Sequence, residues 1–195
     1  SGENILHISA ENGWSELVHL CVQKKLDIHS RNENGETALY LAALKSHENI
    51  FAYLLNKGAH FSAKTKEQDT ILHAAALGGN IPIIKKCLKL GLDVNSKNKR
   101  GETPAMLLFN EYYYHLGSTS SSSEESKFEA AKLLLSNGDI QATNDKGDTL
   151  LHYAVSGGHR IISGYLINKG ANVNAKSKKD FFFGNKNAGI TPLHI

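Results

Sequence analysis

Residues 70–80 read Thr-Ile-Leu-His-Ala-Ala-Ala-Leu-Gly-Gly-Asn, and this stretch has the form of one short, complete helix. Thr70 is a typical N-cap, because its hydroxyl can accept a hydrogen bond from a backbone amide of the first turn. Ala75 and Ala76 are small residues that let a neighbouring helix come close. Gly79 can then close the helix in the left-handed conformation that glycine adopts readily. The stretch therefore predicts a short helix with one face shaped for a packed neighbour.

The same pattern recurs along the whole chain. Its cap position is occupied by Asn4, Thr37, Thr70, Thr103, Thr149 and Thr191. The first four of these residues follow one another at one constant interval, and the last two intervals are longer, which indicates insertions. A glycine at a fixed distance after the cap marks the end of a second, outer helix at Gly58, Gly91 and Gly170. Because one pair of such short helices cannot bury its apolar stripe alone, we expect neighbouring copies to stack and bury it for one another.

The chain resembles the ankyrin repeat family, which has a period of about 33 residues and the signature Thr-Pro-Leu-His followed by Ala two residues later. The resemblance implies an all-α repeat solenoid in which each copy has a β-hairpin loop, an inner helix and an outer helix. It also implies a concave groove, formed by hairpin tips and inner helices, that binds another protein. The predicted repeats are 1–32 with a truncated start, 33–65, 66–98, 99–144 and 145–177, followed by an extended hairpin and the start of a sixth copy over 178–195.

Composition excludes several classes of protein. The 195 residues are 41% hydrophobic and 21% charged with a net charge of +3, which is neither the pattern of a disordered chain nor that of a clustered basic nucleic-acid binder. No apolar run reaches the roughly 18 residues that a membrane-spanning helix needs. With only two cysteines, a disulfide scaffold is excluded. We therefore expect a protein partner, no nucleic acid and no membrane insertion, in the reducing cytoplasm or in a host cytosol if the protein is a secreted effector.

The two cysteines test the register of the repeats. Cys21 and Cys87 are separated by two of the constant intervals, so they occupy the same outer-helix position. Since packed helices lie about 8–10 Å apart, two repeats separate these residues by roughly 20 Å. That distance is too long for a disulfide. We predict two buried free thiols.

The fourth copy departs from the pattern. It carries an insertion, rich in Tyr and Ser, at about 112–125. Helical spacing continues into this insertion, so we expect the inner helix to extend to Leu116. Leu107, Leu108 and Phe109 stand where the other copies have small residues. The packing of this copy is therefore expected to be looser or shifted.

A second insertion lengthens the hairpin before the sixth copy and contains Phe181, Phe182 and Phe183. Side chains alternate in direction along a strand, so the three rings cannot all face inward. Two interpretations stay open. The rings contact a partner from the hairpin tip, or they cover the groove-side edge of the fifth and sixth copies.

The histidines do not form a pattern typical of a metal site. Four of them occupy the fourth position of the signature, one per copy, at His7, His73, His152 and His194. These are spread along the stack, and we expect each to hydrogen-bond its cap residue and the adjoining hairpin; Tyr40 and Met106 replace the histidine, so the bond should be absent there. No phosphate-binding loop, nucleophile elbow or zinc-ligand spacing is present. The sequence predicts no enzyme activity, no catalytic residue, no metal and no cofactor.

The expected partner-binding residues lie at the hairpin tips, at the ends of the inner helices and on the extended hairpin. Charges of both signs alternate along the tips, which favours a polar and specific partner surface. Leu44, Leu77 and either Tyr112 or Tyr113 are the expected apolar anchors. The full set is Glu33, Asn34, Glu36, Leu44, Lys45, Lys66, Glu67, Asp69, Leu77, Lys99, Arg100, Glu102, Asn110, Glu111, Tyr112, Tyr113, Asp145, Lys146, Asp148, Phe181, Phe182 and Phe183.

Two functions fit these observations. The first is a protein-interaction module whose groove holds a partner polypeptide. The alternative is a recruiting or regulatory arm of a larger enzyme, channel or secreted bacterial effector. The chain opens directly at an inner-helix cap and stops at Ile195, shortly into the sixth inner helix. We therefore expect a monomeric array within a larger chain.

Overall fold

The computed structural model describes residues 2–110, 123–178 and 191–194. These residues form ten α-helices and one 3-10 helix, numbered here in chain order. The helices are α1 Ile5–Asn12, α2 Ser15–Gln23, α3 Ala38–Leu44, α4 Glu48–Asn56, α5 Ile71–Leu77, α6 Ile81–Lys89, α7 Pro104–Leu107, α8 Glu124–Leu135, α9 Leu150–Ser156 and α10 Arg160–Asn168, with the 3-10 helix at Pro192–His194.

The helices lie in two layers. The inner layer is formed by α1, α3, α5, α7 and α9, each packed on the next, and the outer layer by α2, α4, α6, α8 and α10 in the same order. Ala74, Ala75 and Ala76 are completely buried, which confirms that the small residues of the repeat form the contact between inner helices. The predicted all-α repeat solenoid is confirmed. Within the described residues no helix combines the length and the apolar character required to cross a membrane.

The inner helices begin as the sequence predicts. The Thr70 hydroxyl accepts from the amide of His73, and Nδ1 of His73 accepts from the amide of Thr70 at 3.1 Å. The other ring nitrogen, Nε2, lies 3.0 Å from the carbonyl oxygen of Glu102 in the next repeat. The cap bond that was expected to be absent at Met106 is present in another form. The sulfur of Met106 accepts from the amide of Thr103 at 3.5 Å, in place of the missing imidazole.

The fourth repeat contradicts the expected long inner helix. Helix α7 ends at Leu107, and the amides of Phe109 and Asn110 then turn back to the carbonyls of Met106 and Leu107. This early end lets the bulky residues be buried without forcing the inner helices apart. Phe109 is 2% exposed, and its ring contacts the ring of His159 in a tilted arrangement with the centroids 5.0 Å apart. Residues 111–122, and with them most of the insertion, lie outside the described part.

Cys21 and Cys87 are both buried and unpaired, which confirms the predicted free thiols. Burial raises the pKa of the Cys87 thiol to about 12. A thiol with this pKa stays protonated at neutral pH and behaves as a small apolar side chain.

The end of the first outer helix offers a test of backbone strain. Lys25 has φ +61° and occupies the position that Gly58 has in the second repeat. A side chain in this left-handed region costs about 1–2 kcal/mol, whereas glycine adopts it freely at some cost in the entropy of the unfolded chain. Lys25→Gly should therefore raise the free energy of unfolding by about 0.5–1 kcal/mol, measured by chemical denaturation.

Lys24→Gly is the matched control for this prediction. The backbone of Lys24 has φ −77°, so glycine there relieves no strain and should destabilise the chain. A shift of both variants in the same direction would contradict this account.

Candidate protein-binding groove

A tight turn precedes each of the inner helices α3, α5, α7 and α9, and a buried polar side chain shapes it. In the fourth repeat the amides of Arg100 and Glu102 donate to Oδ1 of Asn98, at 2.9 and 3.0 Å. The same position is filled in the other repeats by Asn32, Thr65 and Asn144. These side chains take up the amides that a strand partner would otherwise bind. The loops expected as β-hairpins are thus tight turns, and in the described residues only Thr143 and Thr149 form an isolated β-bridge.

These turns, which we call the tip turns, span residues 32–36, 65–69, 98–102 and 144–148. One backbone hydrogen bond joins each tip turn to the next segment along the stack. The pairs are the amide of Lys66 with the carbonyl of Asn34 at 2.7 Å, Lys99 with Glu67 at 2.8 Å, Asp145 with Arg100 at 3.0 Å, and Lys178 with Lys146 at 2.6 Å. The tips therefore form one continuous edge whose spacing is fixed by the backbone.

A cavity of about 370 Å³ opens between the tip turns and inner helices of the second, third and fourth repeats. It brings together nine of the residues proposed from the sequence: Asn34, Glu36, Leu44, Lys45, Lys66, Glu67, Asp69, Leu77 and Arg100. Tyr40, Thr65 and Leu107 complete its lining. The cavity therefore has a charged rim made by the tips and an apolar wall made by leucines. We call this cavity and the surface along the tip turns the groove.

Several charges of the groove are paired. The ion pairs are Lys45 with Glu11 at 3.4 Å, Arg100 with Glu102 at 2.8 Å, and Lys99 with Glu67 at 3.8 Å. Burial raises the pKa of the Tyr40 hydroxyl well above its usual range, and the carboxylates of Asp69 and Glu36 raise it further. Burial also raises the pKa of Asp69 itself. Tyr40 is therefore neutral at physiological pH, and the Asp69 carboxyl group is partly withdrawn from water.

The Glu102 carboxylate joins the fourth and fifth repeats. It is 4% exposed and accepts from four side chains. These are Arg100 Nε at 2.8 Å and Asn98 Nδ2 at 3.1 Å on one oxygen, with the Tyr153 hydroxyl at 2.7 Å and Asn110 Nδ2 at 3.0 Å on the other. Burial and the Glu102 carboxylate raise the pKa of Tyr153, so its hydroxyl keeps its proton and donates. We call these five residues the Glu102 network.

The structure divides the remaining proposed residues into three groups. Glu33, Lys99, Asp145 and Lys146 are exposed on the tip turns outside the cavity. Glu102, Asn110 and Asp148 are buried, which corrects their expected place on the groove surface. Two of these carboxylates turn inward onto the asparagine of their own turn: Glu102 accepts from Asn98 and Asp148 accepts from Asn144, each at 3.1 Å. The proposed residues Glu111, Tyr112, Tyr113, Phe181, Phe182 and Phe183 lie outside the described residues.

Sequence reasoning missed the polar residues inside the stack. Asn98 and Asn144 shape their turns, and Tyr153 joins the fifth repeat to the fourth. The recurrence of asparagine five residues before the cap, at 32, 98 and 144, was a signal that could have found the turn residues. Tyr153 gave no such signal, since its partner is 51 positions away.

The periodic histidines serve the stack. His7 accepts from the amide of Asn4 at 3.2 Å and contacts the Ser30 carbonyl oxygen at 3.0 Å, and His152 accepts from the amide of Thr149 at 3.1 Å. These bonds confirm the expected structural role. In the described part of the chain no group of three or more His, Cys, Asp or Glu is placed to hold a metal ion.

Comparison with known proteins agrees with the repeat architecture. A family model for ankyrin repeats in three copies matches residues 1–65 and 120–195, and a second, for ankyrin repeats in many copies, matches 54–107. The chain is 41% identical over 54 residues to the Notch-regulated ankyrin repeat-containing proteins of Homo sapiens and Mus musculus, and to protein A of that name from Danio rerio. The alignment with the human protein covers 28% of this chain and 47% of that protein, so the chain spans about half the length of the curated relatives it matches. With the family model covering most of its length, the chain belongs to the ankyrin repeat family.

Proposed function

We propose that this chain is a protein-interaction module that binds a segment of a partner polypeptide in the groove. Ankyrin repeats are generally protein-interaction modules. The observation that carries the proposal for this chain is the cavity itself, which gathers charged tip residues and inner-helix leucines into one concave surface.

The leucine wall supplies a site for an apolar anchor. Leu44 is half-buried and lines the cavity together with Leu77 and Leu107, which are 6% and 2% exposed. Interfaces derive most of their affinity from a few apolar groups buried at the centre, while charges at the rim contribute specificity. The charged tips around this wall give the groove that arrangement.

The tip turns are held in place before any partner arrives. Each is shaped by its own buried side chain and bonded through the backbone to the next segment. A surface that is already ordered loses little conformational entropy on binding. This favours recognition of an extended or flexible segment, whose ordering is then the main entropic cost.

Site-specific photo-crosslinking tests the proposal. A benzoylphenylalanine placed at Lys66, which is exposed in the groove, should capture a partner polypeptide from an extract of the source cells. The same residue placed at Lys85, which is exposed on outer helix α6, should not capture that polypeptide. Capture of the same partner from both positions would overturn the groove assignment.

A matched pair of substitutions completes this test. Leu44→Arg places a charge in the leucine wall and should reduce the crosslink from position 66 by about tenfold or more. Leu20→Arg makes the same change on the outer helix α2, where Leu20 is 46% exposed, and should leave the crosslink unchanged. Melting temperatures of both variants verify that the stack is intact.

A further inference from the structure

We propose that the cavity between the second, third and fourth repeats accepts an arginine side chain of the partner polypeptide, bound by Glu36, Asp69 and Tyr40. The inference rests on the proposed function and adds the chemical identity of one partner residue. Three features of the cavity carry it: a buried tyrosine whose hydroxyl has no partner among the described residues, two carboxylates with an unused oxygen each, and a shortage of available cations.

Tyr40 occupies the position at which three other repeats have a histidine whose ring accepts a hydrogen bond from the cap residue of its helix. His73 reaches the carbonyl of the next turn through its ring nitrogen at 3.0 Å. The side chain of Tyr40 is longer than that of histidine. Tyr40 lines the cavity and is 7% exposed, and no described residue hydrogen-bonds its hydroxyl. The hydroxyl therefore has its hydrogen-bonding capacity available to a ligand group in the cavity.

The two carboxylates beside Tyr40 each have one oxygen engaged and one available. Oε2 of Glu36 accepts from Asn32 at 2.7 Å and from Asn34 at 3.4 Å. Oδ1 of Asp69 accepts from Asn98 Nδ2 at 2.9 Å. No described residue donates to the second oxygen of either carboxylate. Both side chains are half-buried, so these oxygens are partly removed from water and favour a charged donor.

The cations near these carboxylates are already committed. Arg100 bonds Glu102 at 2.8 Å, and Lys45 pairs with Glu11 at 3.4 Å. Lys66 remains, and it is exposed at the rim. At this end of the cavity, beside Tyr40, the carboxylates of Glu36 and Asp69 therefore present a negative charge with which no described cation forms an ion pair. A cation from outside the chain would complement it.

Arginine fits this end better than lysine does. Its planar guanidinium has five donors in a fixed fork and can serve two carboxylates and a phenol oxygen at once, whereas an ammonium group has three donors at one point. The guanidinium also binds favourably over a tyrosine ring. Its aliphatic stem can lie along Leu44 and Leu77, which line the same cavity.

Selection from a peptide library tests the inference. Random twelve-residue peptides displayed on phage are selected on the chain, and the binders are synthesised and titrated by fluorescence anisotropy. We expect arginine at one fixed position of the selected peptides. Replacing it by citrulline, which is uncharged and nearly the same shape, should weaken binding by about tenfold or more.

Variants of the chain locate the contact. In Asp69→Asn the carbonyl oxygen can still accept from Asn98, and in Tyr40→Phe no hydrogen bond within the described structure is lost. In Asp69→Asn the loss of affinity caused by citrulline should fall to about threefold or less, because one of the two carboxylates that recognise the charge is removed, whereas Tyr40→Phe should weaken the arginine and citrulline peptides alike. Glu48→Gln is the matched control: Glu48 is an exposed carboxylate on the outer helix α4, away from the groove, and the variant should keep the full effect.

The outcomes separate this inference from the proposed function. If no peptide is selected, or if Leu44→Arg binds the selected peptides as the unmodified chain does, the groove proposal itself fails. If Leu44→Arg abolishes binding but citrulline or Asp69→Asn has no effect, the arginine site is wrong while the groove stands. Peptides that accept lysine at the fixed position without loss would overturn the preference for arginine.

Discussion

Glu102→Ala should lower the free energy of unfolding by about 3–5 kcal/mol. The substitution removes a buried carboxylate and leaves the buried groups that donate hydrogen bonds to it without an acceptor. The Glu102 carboxylate is 4% exposed and accepts from Arg100, Asn98, Asn110 and Tyr153. Native domains are stable by only about 5–15 kcal/mol, so this loss is a large part of the total. In a stack whose stability comes from contacts between neighbours, it falls mainly on the junction of the fourth and fifth repeats.

Denaturation followed by circular dichroism gives the size of the effect, and hydrogen exchange gives its place. Amides of α9 and α10 should lose protection before those of α3 to α6. Glu67→Ala is the matched control in the preceding tip turn, where the carboxylate is 59% exposed and lies 3.8 Å from Lys99. It should change stability by at most about 0.5 kcal/mol. Equal losses for the two variants would show that the Glu102 network does not join the repeats.

The periodic part of the fold could be predicted from the sequence, because its causes are local. Thr70 caps a helix within three residues of itself, Ala75 and Ala76 determine which face packs, and both features recur at the constant spacing of the repeat. Burial of Cys21 and Cys87 follows from the same register. A feature that depends on residue type and fixed spacing is visible in a single sequence when the sequence repeats itself.

Features created by contact between unlike repeats could not be predicted in this way. The position of Glu102 in the repeat predicts a surface charge. Its burial depends on Tyr153, which lies beyond the insertion that makes the interval between repeats irregular. The inner helix of the fourth repeat was expected to be long, yet it ends at Leu107. In the sequence, Tyr40 is visible only as a replacement of the periodic histidine. Its place in the cavity follows from the second, third and fourth repeats together.

Gly101→Ala should lower the free energy of unfolding by about 3 kcal/mol, through strain and through displacement of the neighbouring turn. Gly101 has φ +71°, and a Cβ there would lie 2.8 Å from the backbone nitrogen of Asp145. That nitrogen cannot move away without losing its 3.0 Å bond to the carbonyl of Arg100. The substitution therefore strains one residue and also breaks the backbone edge that joins the tip turns.

Gly91→Ala separates these two causes. Gly91 has a nearly equal φ of +77°, but no atom lies within 4 Å of the Cβ that alanine would add. Only the cost of the left-handed backbone remains, about 1 kcal/mol. Urea denaturation of the two variants should thus give losses that differ by about 2 kcal/mol. Because a partner in the groove would bind across the tip turns, Gly101→Ala should also weaken peptide binding while Gly91→Ala preserves it. Equal stability and equal binding for the two variants would mean that the tip turns are not held together by close backbone contact.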